Sequence, residues 1–142
     1  MTENNTSLVQ MPKVMGILNV TPDSFSDGGR FINSNDALNQ VERMIEQGAS
    51  IIDIGGESTR PGAVDVSVAD EIERVIPILK AIKSRFDIKV SIDTSKPEVM
   101  AEAIEHQADI INDVRALQLD GALVAAAELD VPVCIMHMQG QP

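Results

Sequence analysis

Polar side chains close five apolar runs of this sequence, and their types suit recognition of a small, flat ligand. Asn19 ends "VMGILN", Asp53 sits near the end of "SIIDI", Asp93 ends "KVSID", Asn112 and Asp113 end "DIIND", and His137 follows "VPVCIM". Any one of them has an ordinary use, because Asp and Asn cap helices and stabilise turns. Five in succession, each closing a run rich in Ile and Val, set a polar rim around one end of a group of strands. Such a rim is a ligand site. Asp93 and Asn112 present acceptors and donors to the edge of a heterocycle. A carboxylate facing adjacent ring N–H and exocyclic NH₂ groups makes a two-pronged, charge-assisted contact.

Two longer polar stretches follow the first two runs. "GGESTRPGA" (Gly55–Ala63) places Ser58, Thr59 and Arg60 in succession. Alone it reads as a surface turn punctuated by Pro61-Gly62, but hydroxyls beside a planar cation also suit an oxyanion. Asn19, with an uncharged amide oxygen, offers one ligand to a Mg²⁺ that keeps waters and binds substrate phosphates. In "ILNVTPDSFSDGG" (Ile17–Gly29) an apolar strand spills into a long loop carrying Phe25, and loops of that length are usually functional or disordered. His106 and His137 are far apart, no Cys/His ligand spacing exists, and no Walker or GxGxxG phosphate loop is present. His106, late in a helix, reads as a surface residue or one that complements the helix C-terminal dipole. Cys134, the only cysteine, lies in an apolar run and is expected to be a buried, inert thiol of a reducing cytoplasm.

The elements that must position these groups follow from hydrophobic period. Strands are expected over Val14–Val20, Ser50–Ile54, Lys89–Asp93, Asp109–Asp113 and Val131–Met138. Helices are expected over Asp36–Gly48, Ser67–Phe86, Pro97–His106 and Asp120–Asp130. Gly48 stands where a helix ends, Ser67 with Asp70 resembles a capping box, Pro97 suits a first turn, and Pro77 predicts a kink. Strands written as solid Ile/Val runs are those of a parallel sheet covered on both faces, so the fold class is α/β. Helix-to-strand connections of about two residues oppose long ones after the first two strands. That asymmetry suits a (β/α) barrel with its chemistry at the C-terminal strand ends, and equally a doubly wound sheet.

The 142 residues carry a net charge of −11 with only 11 Lys and Arg, which argues against a nucleic-acid binder. No apolar run approaches the roughly 18 residues of a membrane helix, and "MTENNTSLVQ" lacks a signal-peptide pattern. A single domain over 1–142 is expected, with 1–13 as a flexible or edge segment.

"MGILNVTPDSFSDGGRF" and "GASIIDIGGESTRPGA" resemble the two signature stretches of the dihydropteroate synthase family, and "SIDTSKPEV", "IINDVRAL" and "VCIMHMQG" are similar to its later strand ends in the same order. The resemblance implies a cytoplasmic folate-pathway transferase on a TIM barrel. It would join 6-hydroxymethyl-7,8-dihydropterin diphosphate to p-aminobenzoate with release of pyrophosphate, require Mg²⁺, bind sulfonamides and work as a homodimer when full-length. It assigns Asn19 to Mg²⁺ and the diphosphate. Asp93 and Asn112 would hold the pterin edge, with Asp53, Val114 and Met136 lining that pocket. Phe25 and Pro61 would flank the aminobenzoate, and Ser58, Thr59 and Arg60 would lie near the substrates' anionic groups. Asp27 and Arg60 would be catalytic, Asp27 by stabilising positive charge on the pterin methylene. A barrel takes about 250 residues and eight strands, whereas this chain supplies strands one to five and helices one to four. Further pterin and diphosphate contacts would come from later strands, so residues 1–142 alone are expected to be inactive. Two other readings are a pterin-binding methyltransferase domain and a non-catalytic half-barrel. The first has no use for the aminobenzoate loops.

Overall fold

Strands and helices alternate without exception in the computed structural model, which describes residues 11–21, 33–137 and 139. The order is β1 (Val14–Asn19), α1 (Ser34–Glu46), β2 (Ala49–Gly55), α2 (Val68–Arg85), β3 (Lys89–Asp93), α3 (Pro97–Glu105), β4 (Ile110–Asp113), α4 (Ala122–Glu128) and β5 (Val133–Ile135). All neighbouring strands pair in parallel, in the order β1-β2-β3-β4-β5. Each new strand joins the same edge, and α1 packs on α2, α2 on α3 and α3 on α4. A doubly wound sheet reverses its strand order and puts helices on both faces. Sequential order with consecutive helices in contact is instead that of a (β/α) barrel. Among the described residues no helix is long and apolar enough to cross a membrane.

The helix-facing side of the sheet is the core. Leu18, Ile54, Ile92 and Ile111 are register partners across four strands and are fully buried. Val41 of α1, Val75, Leu79 and Ile82 of α2, and Val99 and Met100 of α3 cover them, also without exposure. Each such side chain contributes roughly 1.5–3 kcal/mol.

The residues at the helix ends act as expected. Ser67 Oγ accepts the Asp70 amide at 3.1 Å, and Asn33 Oδ1 accepts that of Asn35 at 3.1 Å. Gly48, at φ +104°, turns the chain from α1 into β2, a conformation that a Cβ would oppose. Pro97 opens α3. Helix α2 runs on through Pro77, which lies on its exposed face.

Four expectations need correction. Cys134 is exposed rather than buried, because it lies on the helix-free side of β5, the last strand of the sheet, where no further described strand packs against it. The strand itself is three residues, not the eight of "VPVCIMHM", and α4 spans only Ala122–Glu128 because Gly121, at φ +80°, and Asp130, at φ +50°, hold its ends in left-handed turns. The helix-to-strand connections, 47–48, 86–88, 106–109 and 129–132, lengthen along the chain instead of staying at two residues. They remain short beside 56–67 at the opposite rim.

Candidate functional site

Strand register decides which polar side chains meet. Asn19, Gly55, Asp93, Asn112 and Cys134 are successive Cα partners, a single row across all five strands at their C-terminal ends. Because side chains alternate along a strand, this row and the one two residues below it, Ile17, Asp53 and Ser91, face away from the helices. Asp53 therefore sits beneath Gly55, one layer deeper than the others. Asn112 reaches across β3 and donates from Nδ2 to Asp53 Oδ2 at 3.1 Å. The other Asp53 oxygen, Oδ1, and Ser91 Oγ are buried without a protein partner. Polar atoms left in that condition cost free energy unless something else binds them, and here both lie in the floor of the rim.

Gly55 is the member of the row that has no side chain to offer. A Cβ there would stand 3.5 Å from Asn19 Oδ1 and 3.6 Å from Asp93 Oδ2. The glycine thus leaves a notch between an amide oxygen and a carboxylate. Its place was not readable from the "GG" pair alone, since it depends on the pairing of β2 with both neighbours.

Asp93 is the most perturbed group of the site. Burial, followed by the negative charges of Asp53, Asp113, Glu71 and Glu57, pushes its pKa up from 3.8 to about 7. A carboxyl so placed gains from any ligand that brings hydrogen-bond donors or positive charge.

Asp113 belongs elsewhere. As the neighbour of Asn112 it points to the opposite face, is fully buried, and accepts from Ser95 Oγ at 2.5 Å, the Arg115 amide at 2.9 Å and the Leu117 amide at 2.8 Å. Those bonds hold a turn in which Ala116 and Leu117 both take positive φ. Its role is structural. His137 is exposed beyond the end of β5, and His106 ends α3 with Nε2 3.2 Å from Glu102 Oε1.

A cavity of about 930 Å³ opens from the row toward the β2–α2 connection. Asn19 and Asp93 line one side, and Ser58, Thr59, Arg60 and Pro61 the other. Thr59, Arg60 and Pro61 are exposed, while Ser58 Oγ accepts the Arg60 amide at 3.4 Å. Val114 is half-buried just past β4, and Met136, 42% exposed, donates its amide to the Asp113 carbonyl at 3.3 Å. Neither lines the cavity, and neither do Asp53 and Asn112. Phe25 and Asp27 lie outside the described residues. So does most of the first loop. Among the described residues no cluster of His, Cys, Asp or Glu is arranged to hold a metal.

Sequence reasoning passed over Glu57 and Lys96, although both stand inside quoted motifs. Lys96 Nζ lies 2.7 Å from Glu57 Oε2 and 2.7 Å from Glu71 Oε2. Their signal was a charge in each of two motifs. Nothing local said that the two would meet.

Residues 15–142 match the family model described as pterin binding enzyme. The dihydropteroate synthase of Haemophilus influenzae is 57% identical over 140 residues, which is 98% of this chain and 51% of that protein. Among solved structures, the Yersinia pestis dihydropteroate synthase with a sulfonamide drug complex superposes with a TM-score of 0.84 at 58% identity, covering 92% of this chain and 48% of that one. The Xanthomonas albilineans dihydropteroate synthase with 4-aminobenzoic acid gives a TM-score of 0.86 at 50% identity, over 94% and 49% respectively. The chain spans about half the length of the relatives it matches.

Proposed function

This chain belongs to the family of pterin-binding enzymes, and on that premise we propose that it forms the N-terminal half of a dihydropteroate synthase barrel. The observation that carries the proposal is the row Asn19–Gly55–Asp93–Asn112, of which Asn19 and Asp93 line a cavity that Ser58–Pro61 also line. One end of that space presents acceptors to a heterocycle edge, and the other presents hydroxyls and a guanidinium to an anion.

In this reading Asp93 accepts from adjacent ring donors of the pterin in two prongs, and Asn112, oriented by its bond to Asp53, completes the edge. Val114 and Met136 border the ring. Pyrophosphate leaves as the C–O bond of the pterin methylene breaks, and positive charge develops on that carbon. Asp27 stabilises the charge, and the aminobenzoate nitrogen forms the new C–N bond and loses a proton. Phe25 and Pro61 flank the aminobenzoate ring, and Ser58, Thr59 and Arg60 bind near its carboxylate and the diphosphate. Enclosure by the two loops excludes water from a cation that it would otherwise hydrolyse.

Asn19 fits a Mg²⁺ that takes one neutral protein oxygen, because its Oδ1 borders the Gly55 notch and such an ion draws its other ligands from water and phosphate. When bound it supplies charge neutralisation of the leaving diphosphate.

Sulfonamides would compete with the aminobenzoate at the Ser58–Pro61 end. The test is a coupled assay for pyrophosphate release on the full-length protein. Release that needs both substrates and is inhibited by a sulfonamide is expected. No release with both present would overturn the assignment.

A further inference from the structure

A single ammonium group joins three elements beside the site. Lys96, the residue before α3, contacts Glu57 on the β2–α2 connection and Glu71 in the first turns of α2. The Lys96 and Glu57 side chains are 15% and 14% exposed, and that of Glu71 is fully buried. Glu57 works with both oxygens: Oε2 receives Lys96, and Oε1 accepts the Val66 amide at 3.3 Å, closing the intervening segment on itself. The base of that segment is equally fixed. A Cβ at Gly56 would stand 2.7 Å from Val75 Cγ2, and Arg74 Nη1 donates to the Gly56 carbonyl at 3.0 Å. On the other side, the Lys96 amide donates to Thr94 Oγ1 at 3.2 Å and the Thr94 amide to the Asn112 carbonyl at 3.0 Å. The ammonium therefore stands on the short turn that follows Asp93 and is hydrogen-bonded to the Asn112 backbone.

We propose that Lys96 is a positioning residue that, through Glu57, sets the distance between the Ser58–Pro61 segment and the Asp93–Asn112 edge. This rests on the functional reading above. Burial works against the charged form of both partners. For Glu57 the Lys96 hydrogen bond, the Val66 amide and the Lys96 charge outweigh it, so its pKa is lowered. For Lys96 the two carboxylates outweigh it, so its pKa is raised. A buried cluster with two carboxylates to one ammonium is a poor source of stability compared with apolar packing. What it supplies is a fixed geometry, and a reaction between two bound substrates depends steeply on their spacing.

The full-length protein provides the test, with Glu57→Ala and with Lys96→Met combined with Glu71→Gln, which leaves no buried carboxylate unpaired on α2. In both, KM for aminobenzoate is expected to rise about tenfold while the dissociation constant of the dihydropterin diphosphate stays nearly constant. In both, amide exchange at 58–66 is expected to quicken without change in β3. Equal shifts for the two substrates, or unaltered exchange at 58–66, would overturn the positioning role. Should the double variant fail to fold, Glu57→Ala decides. If the wild-type protein released no pyrophosphate the functional reading would fail, and the exchange measurement would still judge the tether.

Discussion

At Asp93, burial and four neighbouring carboxylates raise the pKa from 3.8 to about 7, and the two consequences have opposite signs. In the unliganded fold the neutral acid is favoured, so this group's contribution to stability is greatest at low pH and declines as pH rises from about 4 toward 7, where the folded state must ionise it. Asp93→Asn removes that slope and should make the apo protein more stable than wild type at pH 8, measured by urea denaturation at pH 5 and pH 8. Pterin recognition runs the other way, because ring donors want the carboxylate. Affinity should fall toward about tenfold per pH unit below 7. The same Asp93→Asn change should cost about 2–4 kcal/mol of pterin binding, by loss of a charge-assisted pair and juxtaposition of donors. A calorimetric titration in which the variant matched wild type would remove Asp93 from the site. Which residue takes this burden was legible: the Asp closing "KVSID" was singled out by type and position. The size of the shift was not, because Asp53 and Glu71 come from other elements.

At the scale of elements, the α2 helix and the connection before it share one electrostatic joint. Lys96→Met alone leaves Glu71 buried opposite an apolar chain and should destabilise the protein by about 3–5 kcal/mol. Adding Glu71→Gln should recover a large part of that loss, since replacing a buried charged set is far milder than breaking it. Chemical denaturation of the single and double variants checks the order. Equal midpoints would mean that Glu71 already finds another partner when Lys96 is gone. The 56–67 connection and the end of β3 should also divide the ligands between them. Changes at Thr59 or Pro61 should weaken sulfonamide binding while leaving the pterin, and Asp93 changes the reverse. Sulfonamide affinity indifferent to both positions would move the aminobenzoate end away from the 57–66 segment.

For the molecule as a whole, the five strands among the described residues leave β1 and β5 each with one edge unpaired by any described strand. On and beside them Ile17 is 63% exposed, Ile135 56% and Met136 42%. Unpaired edges and uncovered apolar side chains favour pairing with another chain. Residues 1–142 on their own should self-associate and release no pyrophosphate, whereas the same residues within a complete barrel would bury those edges and side chains. Size-exclusion chromatography with light scattering, run beside the coupled assay, reads both. A monodisperse active monomer would show that half a barrel suffices for the chemistry.

The sequence by itself determined what is local. Solid Ile/Val runs alternating with 3.6-period stripes specified α/β, Ser67, Gly48 and Pro97 marked helix ends, and an Asn or Asp closing successive strands marked the rim. These signals act over a few residues, through side-chain period and backbone capping. Only the tertiary structure decided what depends on register and on approach between distant segments. Pairing of β2 with β1 and β3 put Gly55 between Asn19 and Asp93. A shift of one residue sent Asp113 to the helix side while Asn112 faced the site, as the period of two in a strand requires. The closing of α2 on α3 brought Lys96 onto Glu57 and Glu71, 39 and 25 residues away, and no local pattern encodes a contact across that span.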